Sequence, residues 1–363
     1  MENKHTCLYD KHIALKAKMT PFGGFEMPLM YSSIIDEHEA VRKACGIFDV
    51  SHMGEVFIEG DEAESFVQYI FTNNIKKAAN GKIFYGLMLY PNGGVVDDLL
   101  VYKIEDQKFL LVINASNIEK DVAWIQEHAV NFHVEVKNMS DYYGQVAIQG
   151  PLSEKIIEKY LHIACSELAF YTFKYTNFED EDILISRTGY TGEDGFEIYA
   201  GVTTIQKIWD ILIATNEVKP CGLGCRDTLR FEVGLPLYGD ELTESISPIE
   251  AGLGGFVKLD KEDFIGKDAI KKQKEEGAPR KLVGIELKDK AIPRHGYKVY
   301  QDENEIGYVT TGYSSISTGK SVCMALIKTQ YANIGEPLQI EIHRKLHNGI
   351  VTTKKFYTKK YKK

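Results

Sequence analysis

The pattern of apolar residues changes near position 280 of this 363-residue chain. Before it, stretches with strand alternation are interspersed with stretches whose apolar residues recur three and four positions apart, as in helices. From Arg280 onward only short β-branched runs separated by turn residues remain. Residues 258–279 are rich in lysine and glutamate, which is typical of a solvated helix that runs into a linker. The pattern therefore predicts an α+β part followed by a small all-β sandwich or barrel.

The charge of the chain limits its partners. The formal net charge is -9, and since phosphate binding needs a positive surface, we expect no nucleic-acid partner. The exception is the tail, residues 354–363, which holds six lysines and three aromatic residues. This tail predicts either contact with an acidic partner or an anionic ligand, or a frayed, solubilising end.

Several features favour a cytoplasmic protein. The six cysteines contain no C-x-x-C pair, which is typical of reduced thiols. The first ten residues lack the apolar core of a signal peptide, and no apolar run approaches the roughly twenty residues that span a membrane. His343 and His347 stand four apart but lack the glutamate of a zincin motif, so we predict no metal site.

A glycine-rich segment at 187–197, R-T-G-Y-T-G-E-D-G-F-E, is the first candidate site. Glycine lets the backbone approach a ligand closely, tyrosine offers a stacking face, and a fixed carboxylate accepts two parallel N–H bonds. The alternative is a hairpin turn with solvated acids, because residues 183–186 and 196–199 read as strands. Both interpretations stay open.

Two acids and an arginine are further candidates. Strand alternation sends the neighbouring Asp97 and Asp98 to opposite faces, where one carboxyl either serves as a tuned acid or base or simply caps a turn. Arg226 precedes Asp227 near the start of an amphipathic helix, so Asp227 is expected to cap the helix and Arg226 to hold an anion, or the two form interdomain ion pairs. The sequence Ser51-His52-Met53 predicts a structural histidine, and Met53 is suited to the wall of a flat-ligand pocket.

Four motifs resemble those of the aminomethyltransferase family, the T-proteins of the glycine cleavage system. They are F-D-V-S-H-M-G-E at 48–55, N-G-G-V-V-D-D at 92–98, S-R-T-G-Y-T-G-E-D-G-F-E at 186–197 and G-L-G-C-R-D-T-L-R-F-E at 222–232. The resemblance runs in order from Leu8 to Phe356 without large insertions.

The resemblance implies a three-lobed α+β fold around a central folate cavity. A first α/β lobe would comprise residues 1–50 and 140–245, and a second, inserted α/β lobe residues 51–139 and 246–279. Residues 280–363 would form a C-terminal β-barrel lobe. The implied reaction takes the aminomethyl group of a lipoylated H-protein, transfers its one-carbon unit to tetrahydrofolate and releases ammonia.

The resemblance also implies roles for single residues. Asp98 matches the catalytic aspartate, which would orient the pteridine nitrogens and accept a proton. Glu197 matches the pterin-binding glutamate, and Arg226 the arginine that receives the anionic glutamyl tail of folate. Aromatic and thioether side chains would line the pterin: Tyr190, Met53, Tyr85 and Tyr102. The C-terminal folate contact would come from Tyr357 or from Lys359.

Two other functions are compatible with parts of this pattern. A folate-dependent demethylase of a small sulfonium or methylamine would share the pterin pocket and differ on the donor side. A folate-binding regulatory or assembly protein would need no catalytic aspartate, and the complete N-G-G-V-V-D-D motif disfavours it.

Overall fold

The computed structural model of the protein describes residues 3–76 and 78–361. The strands in the first half of the chain are β1 (Lys18–Phe22), β2 (Phe25–Met30), β3 (Gly46–Asp49), β4 (Gly54–Glu59), β5 (Lys82–Leu89), β6 (Val95–Glu105), β7 (Lys108–Ile113), β8 (Glu135–Asn138), β9 (Tyr143–Gln149), β10 (Phe173–Phe178) and β11 (Glu181–Ser186). The later strands are β12 (Gly195–Gly201), β13 (Lys219–Pro220), β14 (Arg280–Leu287), β15 (Lys298–Gln301), β16 (Asn304–Ser314), β17 (Ser321–Lys328), β18 (Pro337–Ile342) and β19 (Lys345–Thr352).

The helices alternate with these strands up to residue 276. The α-helices are α1 (Tyr9–Ala14), α2 (Ile34–Lys43), α3 (Ala63–Ile70), α4 (Ile118–Ala129), α5 (Ser153–Ile156), α6 (Val202–Ala214), α7 (Leu223–Glu232) and α8 (Lys267–Glu276). Short 3₁₀ helices span Ala115–Asn117, Gly254–Phe256 and Thr329–Tyr331, and a π-helical turn, Ile157–Leu161, continues α5. Among the described residues, no helix is long and apolar enough to cross a membrane.

Two sheets form the α/β part. The first has the strand order β10-β11-β12-β9-β3-β13, and α6 packs on β9 and β12 with Trp209 fully buried. The second has the order β5-β6-β7-β4-β8, and α3 packs on β4 and β7. The two sheets meet in one buried cluster, where Tyr102 of the second sheet contacts Tyr199 of the first. This contact brings the end of β6 close to β12, where the candidate site lies.

The C-terminal strands form a closed barrel in the order β14-β17-β16-β15-β18-β19, which confirms the sequence-based prediction. Val299, Ala325 and Ile340 alternate into its interior. The opposite face of β17 packs on Leu87 of the second sheet and on Phe231 of α7. We propose that the two sheets and the barrel are the cores of the three predicted lobes.

Gly46 begins β3, and α2 ends three residues before it, at Lys43. A Cβ at Gly46 would lie 2.6 Å from Val41 Cγ2 and 2.7 Å from Cys221 Sγ, so α2 packs too closely for any side chain there. The helix predicted within 258–279 is present as α8, which covers only Lys267–Glu276.

Lys261, which precedes α8, binds the end of helix α3. The ammonium group of Lys261 is buried and donates to the carbonyl oxygens of Gln68, at 2.6 Å, and of Phe71. These carbonyls lie at the C-terminal end of α3, where no helical N–H remains to pair with them. Lys261 therefore fastens this segment to the second sheet.

Candidate active site

Asp98 lies near the start of β6 and is held by two hydrogen-bond donors. The Tyr85 hydroxyl on the neighbouring strand β5 donates to Asp98 Oδ2 at 2.9 Å, and Asn114 Nδ2 donates to Oδ1 at 3.0 Å. Asp98 is half-buried whereas Asp97 is fully buried, as the alternation of β6 predicts. The turn-capping alternative is wrong, since both acids lie inside the strand.

The surroundings of Asp98 set its proton affinity. Burial and the neighbouring Asp97 charge raise the pKa of Asp98 to about 7, although the bonds from Tyr85 and Asn114 oppose the shift. A carboxyl with such a pKa takes up and gives off protons near neutral pH, as a general acid or base must.

Glu197 is fixed by a closed circuit of hydroxyl groups. Its Oε2 accepts from Thr188 Oγ1 at 2.6 Å, and Thr188 Oγ1 lies 2.7 Å from Ser186 Oγ. Ser186 contacts the Tyr102 hydroxyl, which lies 2.9 Å from the Tyr199 hydroxyl, and Tyr199 returns a hydrogen bond to Glu197. Burial raises the pKa of Glu197, against these donors and Arg226. The circuit holds the buried Glu197 carboxyl in one orientation.

Tyr102, predicted to line the pterin, is part of this circuit. It has no exposed surface, and its ring packs on Phe173 with the centroids 5.2 Å apart. A fully buried side chain does not line a ligand cavity directly. We propose that Tyr102 acts through its hydroxyl group, which orients Glu197. Met53 is half-buried and lines a separate cavity of about 400 Å³ beside the N-terminal segment.

Arg226 lies beside Tyr190 and Glu197. Its guanidinium stands 4.8 Å from the centroid of the Tyr190 ring, and burial lowers the pKa of Arg226 while the Glu197 charge opposes this. Among the described residues, Arg226 Nη1 is buried without a hydrogen-bond partner. A buried N–H group of this kind is normally satisfied, so Arg226 has a donor left for a ligand.

Tyr171 is close enough to both carboxylates to interact with their charges, and it was not among the predicted residues. Burial raises its pKa, and the charges of Tyr361, Glu197, Tyr102 and Asp98 add to the shift. Burial raises the pKa of Tyr85 as well, and the charges of Asp98, Tyr171 and Tyr190 add to that shift. Asp98 and Glu197 therefore belong to one site.

The loop at 187–197 is both a hairpin connection and part of this site. Strands β11 and β12 pair antiparallel with Ser186 opposite Glu197, which confirms the hairpin. Its other two acids have structural partners: Asp194 binds the guanidinium of buried Arg187 at 2.9 Å, and Glu193 binds Arg42 at 3.2 Å. These ion pairs leave Glu197 as the loop's candidate for ligand binding.

Close packing explains one of the loop's glycines. A Cβ at Gly189 would lie 2.0 Å from Oε1 of buried Gln149, whose Nε2 donates to the Thr188 carbonyl at 3.0 Å. Glycine is therefore required where Gln149 supports the backbone of the loop.

The basic tail is ordered as far as Tyr361, against the frayed-end alternative. Lys360 N donates to the Gly192 carbonyl at 2.8 Å, which fastens the tail to the 187–197 loop. The Tyr357 ring lies 4.1 Å from the Arg42 guanidinium, and Tyr361 stacks on Phe170 at 4.4 Å, beside Tyr171. The folate contact of Tyr357 or Lys359 stays a prediction. Residues 362–363 lie outside the described residues.

The remaining predicted residues are structural. Asp227 does not cap α7, because Gly222 holds the N-cap position; its carboxylate instead bonds Arg230 Nε at 2.6 Å and the Tyr313 hydroxyl of the barrel. Burial lowers the pKa of His52 to about 4, so its ring is neutral among aromatic neighbours. The Ser51 hydroxyl bonds a backbone carbonyl, which supports the structural interpretation of His52.

Thr188 offers a test of the hydroxyl circuit. The sequence resemblance implies that tetrahydrofolate binds here, and on that expectation Thr188→Val should weaken its binding about three- to tenfold, because Glu197 loses one donor that orients it. Turnover at saturating tetrahydrofolate should change little. Equilibrium titration would measure the affinity, with Thr203→Val on the exposed face of α6 as the matched control. Equal affinities of the two variants would contradict a role for the circuit.

Comparisons with known proteins identify the family of this chain. The family model described as the GCVT N-terminal domain matches residues 8–261, and that of the glycine cleavage T-protein C-terminal barrel domain matches residues 280–358. The aminomethyltransferases of Thermoanaerobacter pseudethanolicus and Alkaliphilus oremlandii are each 50% identical to the chain, and each match covers 100% of both sequences.

A solved structure also matches over the whole length. The glycine cleavage system aminomethyltransferase T from Bartonella henselae is 30% identical, with a TM-score of 0.95 and coverage of 99% of both chains. This match confirms the predicted fold. The chain belongs to the aminomethyltransferase family, the T-proteins of the glycine cleavage system.

Proposed function

We propose that this protein is the aminomethyltransferase of the glycine cleavage system. It transfers the one-carbon unit of the aminomethyl-dihydrolipoyl H-protein to tetrahydrofolate and releases ammonia, leaving methylenetetrahydrofolate. The observation that carries the proposal is the pair of carboxyls, Asp98 and Glu197, held in one site by different partners. The relatives at 50% identity support the same reaction.

The residues of the site suit a reduced pterin. Each carboxylate oxygen accepts more than one hydrogen bond, so Glu197 has capacity for the ring N–H and exocyclic amine of a pterin beside its bonds to Thr188 and Tyr199. Tyr190 and Tyr85 offer half-buried aromatic faces. Arg226 has a donor without a protein partner, and we propose that it binds an anionic oxygen of the ligand.

Asp98 supplies the proton chemistry of the protein. Tetrahydrofolate, when bound, supplies the nitrogens that receive the one-carbon unit. Asp98 would accept the proton that the bridging nitrogen loses when this nitrogen bonds to the one-carbon unit. The hydrogen bonds from Tyr85 and Asn114 keep the Asp98 carboxylate in place. A pKa of about 7 allows Asp98 to return this proton to solvent afterwards.

We also propose a cytoplasmic location and an H-protein partner. All six cysteines are free thiols, which is usual in a reducing compartment. The ordered tail leaves Lys355 and Lys360 exposed, and these charges suit an acidic partner surface.

A charge reversal tests this surface. Lys355→Glu should raise the apparent KM for H-protein about three- to tenfold at low salt, with the effect shrinking as salt is added. Lys345→Glu at the exposed start of β19 is the control and should leave KM unchanged. An unaltered KM for Lys355→Glu would reject the tail as a docking surface.

The donor separates this function from the demethylase alternative. Methylenetetrahydrofolate formation should be measured with aminomethylated H-protein and, separately, with small sulfonium and methylamine compounds. We expect product only with H-protein. Product from the small donors alone would establish the alternative function instead.

A further inference from the structure

A third carboxyl lies behind Asp97 and Asp98 and has no part in the mechanism described so far. Asp121 of α4 is fully buried, and its Oδ1 accepts from Lys120 Nζ at 2.7 Å. Its Oδ2 receives no hydrogen bond from a donor in the described residues, yet the carboxyl of Asp97 lies within hydrogen-bonding reach. Two ionised carboxylates cannot bond to each other, so a hydrogen bond between these two requires a proton on one of them.

The surrounding donors decide which carboxyl carries the proton. Asp97 accepts from the Asn114 backbone N–H at 2.9 Å, from Asn114 Nδ2 at 2.8 Å and from Asn117 Nδ2 at 2.7 Å. Asp97 is therefore the hydrogen-bond acceptor of three N–H groups. Burial and the Asp97 charge raise the pKa of Asp121 to about 10, although Lys120 opposes the shift. The proton therefore belongs to Asp121.

Asn114 connects this pair to Asp98. Its side-chain amide donates to Asp97 Oδ1, to Asp98 Oδ1 and to the Asp98 carbonyl, the last two at 3.0 Å. Asn114 is thus clamped between the two carboxyls. A shift of Asp97 would move Asn114, and with it one of the two donors that orient Asp98.

We propose that Asp121 is a positioning residue of the transferase: as a neutral acid it donates a hydrogen bond to Asp97, which holds Asn114 against Asp98. The proposal rests on the proposed function for the role of Asp98, but the hydrogen bond between Asp121 and Asp97 does not. Lys120 and the Tyr238 hydroxyl are the other ionisable groups near the pair, and Tyr85, Tyr171 and Tyr190 are those near Asp98.

Infrared spectroscopy tests the proton without any turnover. At about pH 8.5 we expect Asp98 to be ionised and Asp121 to be protonated. The spectrum of the wild type minus that of Asp121→Asn should contain the C=O band of a protonated carboxylic acid. The same difference for Glu119→Gln, at an exposed position of α4, should lack it. Absence of the band in the Asp121→Asn difference would overturn the proposal.

Kinetics test the positioning role. The amide of Asp121→Asn still donates to Asp97, so we expect turnover within about twofold of the wild type. Asp121→Leu fills a similar volume without a donor, and we expect kcat to fall about tenfold with KM for tetrahydrofolate nearly unchanged. In Asp121→Leu, the fall of kcat at acid pH should begin at a higher pH than in the wild type. The reason is that the Asp97 charge, without the hydrogen bond from Asp121, raises the pKa of Asp98 further.

The outcomes separate this proposal from the function itself. Equal turnover and equal pH profiles for Asp121→Asn and Asp121→Leu would reduce Asp121 to a packing role and contradict the proposal. If Asp121→Leu fails to fold, the infrared difference still decides whether the proton is present. If the wild type forms no methylenetetrahydrofolate, the proposed function fails while the infrared result for Asp121 stands.

Discussion

Replacing Asp98 with asparagine should lower turnover by about a hundred- to ten-thousandfold, the range for loss of a general base. The amide has nearly the same shape and can still bond Tyr85, but it cannot accept a proton. The Kd for tetrahydrofolate should stay within a few fold of the wild-type value, since Glu197 and its hydroxyl circuit are untouched. Steady-state kinetics and equilibrium titration would measure the two quantities separately.

The pH dependence of kcat is a second test of the role of Asp98. Because burial and Asp97 raise the pKa of Asp98 to about 7, the carboxylate form is present above that pH and lost below it. Wild-type kcat should therefore fall as the pH drops through about 7, and the residual activity of Asp98→Asn should lack this limb. Asp302→Asn, at the exposed tip of the β15–β16 turn, is the matched control. Unchanged turnover in Asp98→Asn would remove Asp98 from the catalytic role.

Replacing Glu197 with alanine should weaken tetrahydrofolate binding about 10- to 100-fold. A lost charge-assisted bidentate contact is worth roughly 1.5 to 3 kcal/mol, and each 1.4 kcal/mol is about tenfold in Kd. The loss should appear in Kd and in the KM for tetrahydrofolate. Titration by calorimetry would measure it, after circular dichroism has shown that the variant is folded.

The comparison variant for Glu197 is Glu181→Ala, at the exposed start of β11 on the adjacent strand. It removes the same side chain from the same sheet without touching the site. If Glu197→Ala binds tetrahydrofolate as tightly as Glu181→Ala, Glu197 does not bind the pterin, and the loop at 187–197 is only a hairpin connection.

Local patterns were sufficient to predict most of the fold. Short apolar runs bounded by turn residues predicted the strands on both sides of the 187–197 loop and the strands of the barrel, because such runs are typical of strands. Contacts distant in sequence were not predictable in this way. The tail is ordered because Lys360 meets the Gly192 backbone, a contact between residues 168 positions apart that charge pattern does not report.

The same distinction holds within the site. Asp98 and Glu197 stand in motifs that the family resemblance identifies, and strand alternation separates Asp97 from Asp98. Asn114, Thr188 and Tyr171 were missed, since their roles depend on which carboxyl each one meets after folding. One signal was available for Thr188, which lies two residues from a strand end in the glycine-rich loop. Nothing in the sequence indicated that Tyr102 would be buried completely.

Ammonia release from aminomethylated H-protein, measured with and without tetrahydrofolate, tests the central claim most directly. Release should be strongly stimulated by tetrahydrofolate in the wild type, and this stimulation should be lost in Asp98→Asn. Release at the same rate with and without tetrahydrofolate, or no release at all, would contradict the assignment of this protein as a tetrahydrofolate-dependent aminomethyltransferase.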